Sequence, residues 1–306
     1  MGKNILIFLL IPFTAGNSFA ATFTDEVGRK LELKSPPQRI ISLAPSVTEI
    51  LFAIGLGEKV AGVSTYCNYP PEALKKEKIG GYITPSLEKI VALQPDLVIG
   101  SADGDLKAFV NKLDQLGIPV YITNPGSVSE VMLSIQNIGE VTFSQLAARN
   151  VINSMKLKMQ NIQEKIQGRP QSRVLHVMDY DPLISSGKGT FIDDLIRLAG
   201  GANIAASAKG KHPRFSMEEV IAQDPQVVIL SSMKSRDPMI EQKQWWDRWK
   251  EISAVRSGRI QVIDADLIHR PSPRIVDGLE EVAKAIHPEA FEDRVQGAKG
   301  SRGQVK

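Results

Sequence analysis

The 306-residue chain is 42% hydrophobic and 23% charged, with a formal net charge of +3. That is the composition of a globular protein large enough for two domains, with no excess of positive charge to hold nucleic acid. A single cysteine, Cys67, excludes an intramolecular disulfide, so a large apolar core must carry the stability.

Residues 1–20 have the layout of a secretory signal peptide. Lys3 supplies the positive start, residues 5–16 the apolar run, and Ser18-Phe19-Ala20 a small-x-small cleavage site. The apolar run is too short to span a bilayer. No cysteine lies near the cleavage site, so the expected mature protein is a soluble periplasmic one without a lipid anchor.

Residues 22–37 predict a strand pair turning at 25–28, followed by a Ser-Pro-Pro link. The apolar run RIISL at 39–43 predicts a buried parallel strand. Ser46-Val-Thr-Glu49 reads as a capping box opening a helix that Gly55 and Gly57 close. A strand at 60–64, a loop at 65–71, a helix at 108–116 and a strand at 118–123 complete a first βα series. Residues 128–167 hold almost no helix breaker except Gly139 and predict one long helix or two in line, the longer part from about 143. Gly168-Arg-Pro170 ends it. A second series follows, with strands at 173–177 and 260–264 and helices at 192–198 and 275–286. The polar, Gly-rich end predicts a flexible tail.

One stretch occurs twice. Residues 86–99 read SLEKIVALQPDLVI and residues 216–229 read SMEEVIAQDPQVVI, with Ser, Glu, Ala, Pro, Val and Ile shared at a constant offset. Each copy predicts a short capped helix, a Pro-marked turn and a buried strand. The alternation of strands and helices predicts an α/β fold of two doubly wound lobes joined by one long rigid helix. The expected division is a signal peptide at 1–20, an N-terminal lobe at 22–126, a connecting helix at 127–169, a C-terminal lobe at 170–288 and a tail at 289–306.

The enzyme motifs are missing. The four histidines have no helical metal spacing, there is no HExxH, Walker loop, GxSxG elbow or dinucleotide fingerprint, and the SSGKG run at 185–189 reads as a glycine turn. No nucleophile–base pair can be named, so no catalytic residue, catalytic cofactor or metal site is expected, and an enzyme of unrecognised type stays open at this point. In α/β lobes the ligand crevice lies beyond the carboxyl ends of the strands. The candidates there are Pro45 and Ser46, residues 65–69, residues 101–105, Asp179 and Tyr180, Ser231 and Ser232, and residues 266–270, with Tyr82 on the same rim. Cys67 reads as a small buried residue, and Trp245, Trp246 and Trp249 read as a helix face packed on its lobe.

ISLAPSVTEILFAIG, TYCNYPPEA, GGYITPSLEKIVALQPDLVIG and HRPSPRIVDGL resemble, in order and over about residues 38–288, the periplasmic binding proteins of cobalamin and iron-chelate ABC importers, on the BtuF-like branch. The resemblance implies a helical-backbone binding protein, monomeric when free. It would hold a corrinoid between its lobes and deliver it to an inner-membrane permease dimer with its ATPase. Haem or a ferric siderophore is the alternative cargo, with an extracytoplasmic sensor or enzyme behind it. It implies that Tyr66 and Tyr82 take two ring-stacking positions and that Asp266 and Arg270 reach polar edges of the ligand. Ser101 and the His212-Pro213 region stand where that branch can carry tryptophan, which leaves less stacking area. His269 would be an axial ligand if the cargo were haem. Glu88 and Glu218 match the pair expected to meet permease arginines. Their position alone has a second explanation: an acid in the first turn of a helix gains about 0.3–1 kcal/mol from the helix dipole without a partner.

Overall fold

The computed structural model describes residues 21–102, 104, 106–231 and 243–292. The expected signal peptide, Asp103, Asp105, Ser232 and residues 293–306 lie outside the described residues.

The first lobe opens with an antiparallel hairpin, β1 (Ala21–Thr24) and β2 (Lys30–Leu33). Glu26 in its turn ties the hairpin down, accepting from Asn124 N at 2.7 Å and Ser134 Oγ at 2.7 Å. The sheet of this lobe contains β3 (Ile40–Ser42), β4 (Val60–Val63), β5 (Glu77–Lys78), β6 (Leu97–Ser101) and β7 (Val120–Thr123). Their order is β5-β4-β3-β6-β7, and every pairing is parallel. Helices α1 (Pro45–Ala53), α2 (Leu87–Ala92) and α3 (Lys107–Gln115) form the crossovers. All five β6 residues are buried, as expected of a parallel strand covered on both faces.

The second lobe repeats the plan with β8 (Ser172–Val177), the short pair β9 (Asp179–Tyr180) and β10 (Leu183–Ile184), β11 (Gly201–Asn203), β12 (Val227–Leu230) and β13 (Ile260–Val262). The main sheet has the order β11-β8-β12-β13, again all parallel. Helices α6 (Phe191–Leu198), α7 (Met217–Gln223), α8 (Ser253–Arg256), α9 (Ala265–Ile268) and α10 (Ile275–Ile286) belong to it. Trp246 is fully buried, with Trp245 and Trp249 packed around it.

The duplication extends past the repeated residues. In the first copy Gln94 has φ +47°, and in the second Asp224 has φ +42°. Arg39 donates to Leu93 O at 2.9 and 2.7 Å, and Arg173 donates to the backbone of Gln223 and Asp224 at 3.0 and 2.9 Å. The same loop is thus clamped in both lobes by an arginine at the start of the first main strand.

The stretch between the lobes is not one helix. α4 (Val128–Val141) ends at Thr142, Phe143 takes φ +58°, and α5 (Gln145–Ile166) begins in a new direction. A Cβ on Gly139 would lie 2.5 Å from the Ala148 Cβ, so α5 crosses closely over the end of α4. The Phe143 ring packs edge-on against Phe23 with centroids 5.9 Å apart, which anchors the strained residue. The long link is therefore α5 alone, 22 residues, while α4 packs between α1 and α6. α5 is held to the second lobe by Lys158, which pairs with Asp277 at 2.6 Å and Glu280 at 2.8 Å. Residues 289–292, expected in the flexible tail, lie against the end of α5 instead: Arg169 meets Glu289 at 2.6 Å and Lys165 sits over the Phe291 ring.

Candidate functional site

Some of the predicted site residues meet at the junction of the two lobes, whereas Tyr180 packs on Trp245 of its own lobe. Pro45 and Ser46 form the first turn of α1, just beyond β3. The expected capping box is absent: Ala44 is the N-cap, and it makes no side-chain cap bond. Glu49, freed from that role, is turned into the interlobe space and is only 3% exposed.

Its partners come from the other lobe. Arg270 Nη1 donates to Glu49 Oε1 at 3.0 Å, Ser272 Oγ donates to Oε2 at 2.6 Å, and Arg274 Nη1 lies 3.4 Å from Oε1. Arg270 also donates to Asn68 Oδ1 at 2.6 Å and pairs with Asp266 at 2.6 Å. Asn68 closes the loop by donating to Asp266 Oδ2 at 2.8 Å. Two carboxylates and two guanidiniums thus balance one another at the lobe junction. Burial raises the Glu49 carboxyl above its ordinary value, against the hydrogen bonds from Ser272 and Arg270 that favour its charge. Arg274 in addition stacks over the Tyr69 ring at 4.1 Å.

Tyr66 and Tyr82 occupy adjacent loops of the first lobe. Tyr66, two residues before Asn68, is 62% exposed. Its ring lies 3.9 Å from where a Cβ on Gly81 would sit, and the Tyr82 ring lies 3.5 Å from the corresponding point on Gly104. The Tyr82 loop is a tight one: Gly80 has φ +107°, and a Cβ there would meet Thr84 O at 2.9 Å. Tyr82 is half-buried against the core, whereas Tyr66 projects freely. A groove of about 570 Å³ also runs between the lobes, but on the α5 side of Glu49, lined by Phe52, Tyr69, Lys158 and Arg274 among others.

In the second lobe the strand ends carry a buried polar chain. His176 Nδ1 lies 3.0 Å from Ser186 Oγ, His176 Nε2 2.6 Å from Ser231 Oγ, and Ser231 Oγ 2.7 Å from His269 Nε2. Ser231 has the distance to histidine that a nucleophile would need, but it is 1% exposed and shares its hydroxyl between two rings. His269 therefore faces its own lobe's core through Ser231, not an axial position over the cleft. Cys67 is buried, within 3.1 Å of Thr48 Oγ1 and 3.3 Å of Ser64 Oγ. Among the described residues no cluster of His, Cys, Asp and Glu is arranged to hold a metal ion.

Glu88 and Glu218 stand at the second position of α2 and α7, one on each lobe. Ser86 and Ser216 cap the helices by accepting from Lys89 N and Glu219 N. In the second copy it is Glu219, not Glu218, that completes the capping box, donating nothing and accepting from Ser216 N at 2.7 Å. Both Glu88 and Glu218 are exposed, and neither carboxylate has a hydrogen-bond or ion-pair partner among the described residues.

Of the residues singled out in the sequence, Asn68 meets Asp266 and Arg270, with Tyr66 on the same loop as Asn68, and Ser231 and His269 join the polar chain, whereas Glu49, Ser272, Arg274 and His176 were missed as site residues. Glu49 carries one signal: a lone charge followed by the apolar run ILFA.

The family described as periplasmic binding protein matches this chain over residues 40–267. An uncharacterized ABC transporter substrate-binding lipoprotein of Bacillus subtilis is 34% identical over 284 residues, 90% of this chain and 88% of its own length. The crystal structure of the periplasmic vitamin B12 binding protein BtuF of Vibrio cholerae is 31% identical, with a TM-score of 0.72 over 84% of this chain and 99% of that one. The apo form of the periplasmic haem-binding protein RhuT from Roseiflexus is 27% identical, with a TM-score of 0.72 over 83% and 99%. With the family matched over residues 40–267 and these relatives covered over 88–99% of their own length, the chain belongs to the periplasmic binding protein family, the substrate-binding proteins of ABC importers, on the BtuF-like branch.

Proposed function

We propose that this protein captures a corrinoid between its lobes and hands it to an inner-membrane importer. The observation that carries this reading is the meeting of the Tyr66–Asn68 loop of one lobe with Asp266 and Arg270 of the other, beside an exposed aromatic ring. An exposed tyrosine offers a flat apolar face with a polar tip, suited to a large planar ligand with amide edges. The similarity to a vitamin B12 binding protein at 31% identity supports that cargo. Delivery is assigned to Glu88 and Glu218, whose carboxylates stand free on the two lobes and fit arginines of a two-fold symmetric permease with its ATPase.

Haem is the second reading, supported by the likeness to a haem-binding protein at 27% identity. Calorimetric titration of the purified mature protein with cyanocobalamin tests the first. Saturable heat at micromolar protein is expected; its absence, together with a haem-type visible spectrum of protein purified from its host, would transfer the cargo to haem.

A further inference from the structure

Residues 265–270 carry both polar cleft residues, Asp266 and Arg270, and the segment is held from two sides. Arg270 reaches across to Glu49 and Asn68 of the first lobe. The neighbouring His269 points back into its own lobe and meets Ser231, which meets His176, which meets Ser186. His176 is fully buried and the two imidazoles lie 5.6 Å apart.

This chain has a proton count that works in one state only. Ser231 has one hydroxyl proton and lies between two ring nitrogens. It donates to one and accepts from the other, so exactly one of the two Nε2 atoms carries hydrogen when both rings are neutral. If the accepting ring is protonated, two N–H groups face the same oxygen and the serine hydrogen loses its acceptor. A charge there is also placed beside a second histidine in a water-poor site.

We propose that the Ser186–His176–Ser231–His269 chain is an acid-releasable anchor that positions the cleft segment 265–270, so that mild acid loosens Asp266 and Arg270 from the lobe junction. The surroundings of both rings have the same net direction, against the imidazolium. Burial first, then His212, push His269 down to about 4, with Asp266 opposing. Burial, His269 and His212 hold His176 well below its ordinary value. A released His269 regains its ordinary 6.5. Between pH 7 and pH 5 that difference favours the released segment by about 20-fold.

The test is hydrogen exchange of residues 265–270 in ligand-free protein at pH 7 and pH 5, corrected for intrinsic rates, with β6 of the other lobe as internal reference. Protection of 265–270 is expected to fall by about 20-fold at pH 5 while β6 holds. His269→Gln, which offers Ser231 a group that does not titrate, should remove the difference. Glu49→Gln should retain it, which separates the anchor from the other titrating group at the junction. Equal protection at the two pH values in the wild-type protein overturns the proposal whether or not the variants fold, as does a difference that survives in His269→Gln and vanishes in Glu49→Gln. The consequence for cargo rests on the proposed function: cyanocobalamin affinity should weaken in parallel at pH 5. Failure to bind cyanocobalamin even at pH 7 would overturn the cargo and leave the exchange result to decide the anchor.

Discussion

Arg270 of the second lobe and Glu49 of the first are joined at 3.0 Å, and both are nearly excluded from water. The Glu49 carboxylate accepts from Arg270, Ser272 and Arg274, while Arg270 has a second carboxylate in Asp266. Among the described residues this junction of side chains ties the lobes together, alongside α5 and the contacts of α4, including Val128 N to Asp194 Oδ2 at 2.9 Å. Closure of such a molecule requires either small rocking about this junction or its rupture.

Truncation and neutralisation of Glu49 should therefore differ. Glu49→Ala leaves the buried Ser272 hydroxyl without its acceptor and strips Arg270 of one of its two carboxylates, and is expected to cost about 3 kcal/mol in urea unfolding. Glu49→Gln keeps one acceptor oxygen, and Arg270 keeps Asp266, so about 1 kcal/mol is expected. The pH dependence has a definite sign. The folded carboxyl sits above its ordinary 4.5, so the folded state binds its proton first on acidification. Glu49 then contributes a relative gain in stability as the pH falls through its folded value, and Glu49→Gln should lack that component. Equal losses in the two variants would show that charge balance, not hydrogen bonding, governs the junction.

Glu88 and Glu218 should behave in the opposite way. With no partner among the described residues, each is expected to contribute its helix-dipole effect, about 0.3–1 kcal/mol before solvent screening. The double variant Glu88→Ala/Glu218→Ala is expected to fold and to bind cargo as the parent does. Cargo-dependent growth of a deletion strain should not be restored by it. Normal import by the double variant would remove docking from these residues.

Much of this was legible in the sequence, for identifiable reasons. Parallel strands buried on both faces leave apolar runs such as LVIG at 97–100, and the repeated segment exposes the duplication directly. The final helix at 275–286 was bounded because its apolar positions recur at helical spacing and His287-Pro288 stops it. A second helix starting near 143 was legible, but the change of direction at Phe143 was not, because a left-handed residue there is stabilised by Phe23, some 120 residues away in sequence, not by a glycine. Glu49 was misread for a related reason: Ser-x-x-Glu satisfies a local capping pattern, and only the fold brings Arg270 close enough to claim the carboxylate. Ser231 and His269 were placed on the rim by their positions after strands, but their link through His176 had no signal, since the three residues share no spacing.

The two tyrosines separate ligand contact from packing. Tyr66 is 62% exposed, so Tyr66→Ala should leave thermal unfolding within about 0.5 kcal/mol of the parent. Tyr82 is half-buried on the core, and Tyr82→Ala should destabilise by about 1–2 kcal/mol. Both should weaken cyanocobalamin binding by about tenfold in calorimetry, through lost ring contact. A Tyr66→Ala variant that binds as well as the parent would take that ring out of the site.

The paired left-handed residues of the repeat make the duplication testable as physics. Gln94 has φ +47° on an exposed loop, and no bond of its side chain is seen to offset the strain. Glycine adopts that conformation without a Cβ clash, so Gln94→Gly should stabilise by about 0.5–1 kcal/mol. Asp224 has nearly the same φ, but its carboxylate caps α8, accepting from Ser253 N at 2.7 Å and Ser253 Oγ at 2.8 Å. Those bonds, with Arg173 and Arg256 nearby, also hold the Asp224 carboxyl below its ordinary value. In Asp224→Gly the relief of strain is offset by the lost cap, worth about 1 kcal/mol, and by the loss of the Arg173 ion pair, so the net change should be destabilising. Opposite signs from the same substitution at equivalent sites would show that the second copy acquired a capping role the first never needed, whereas equal signs would mean that the backbone alone sets the stability of both loops.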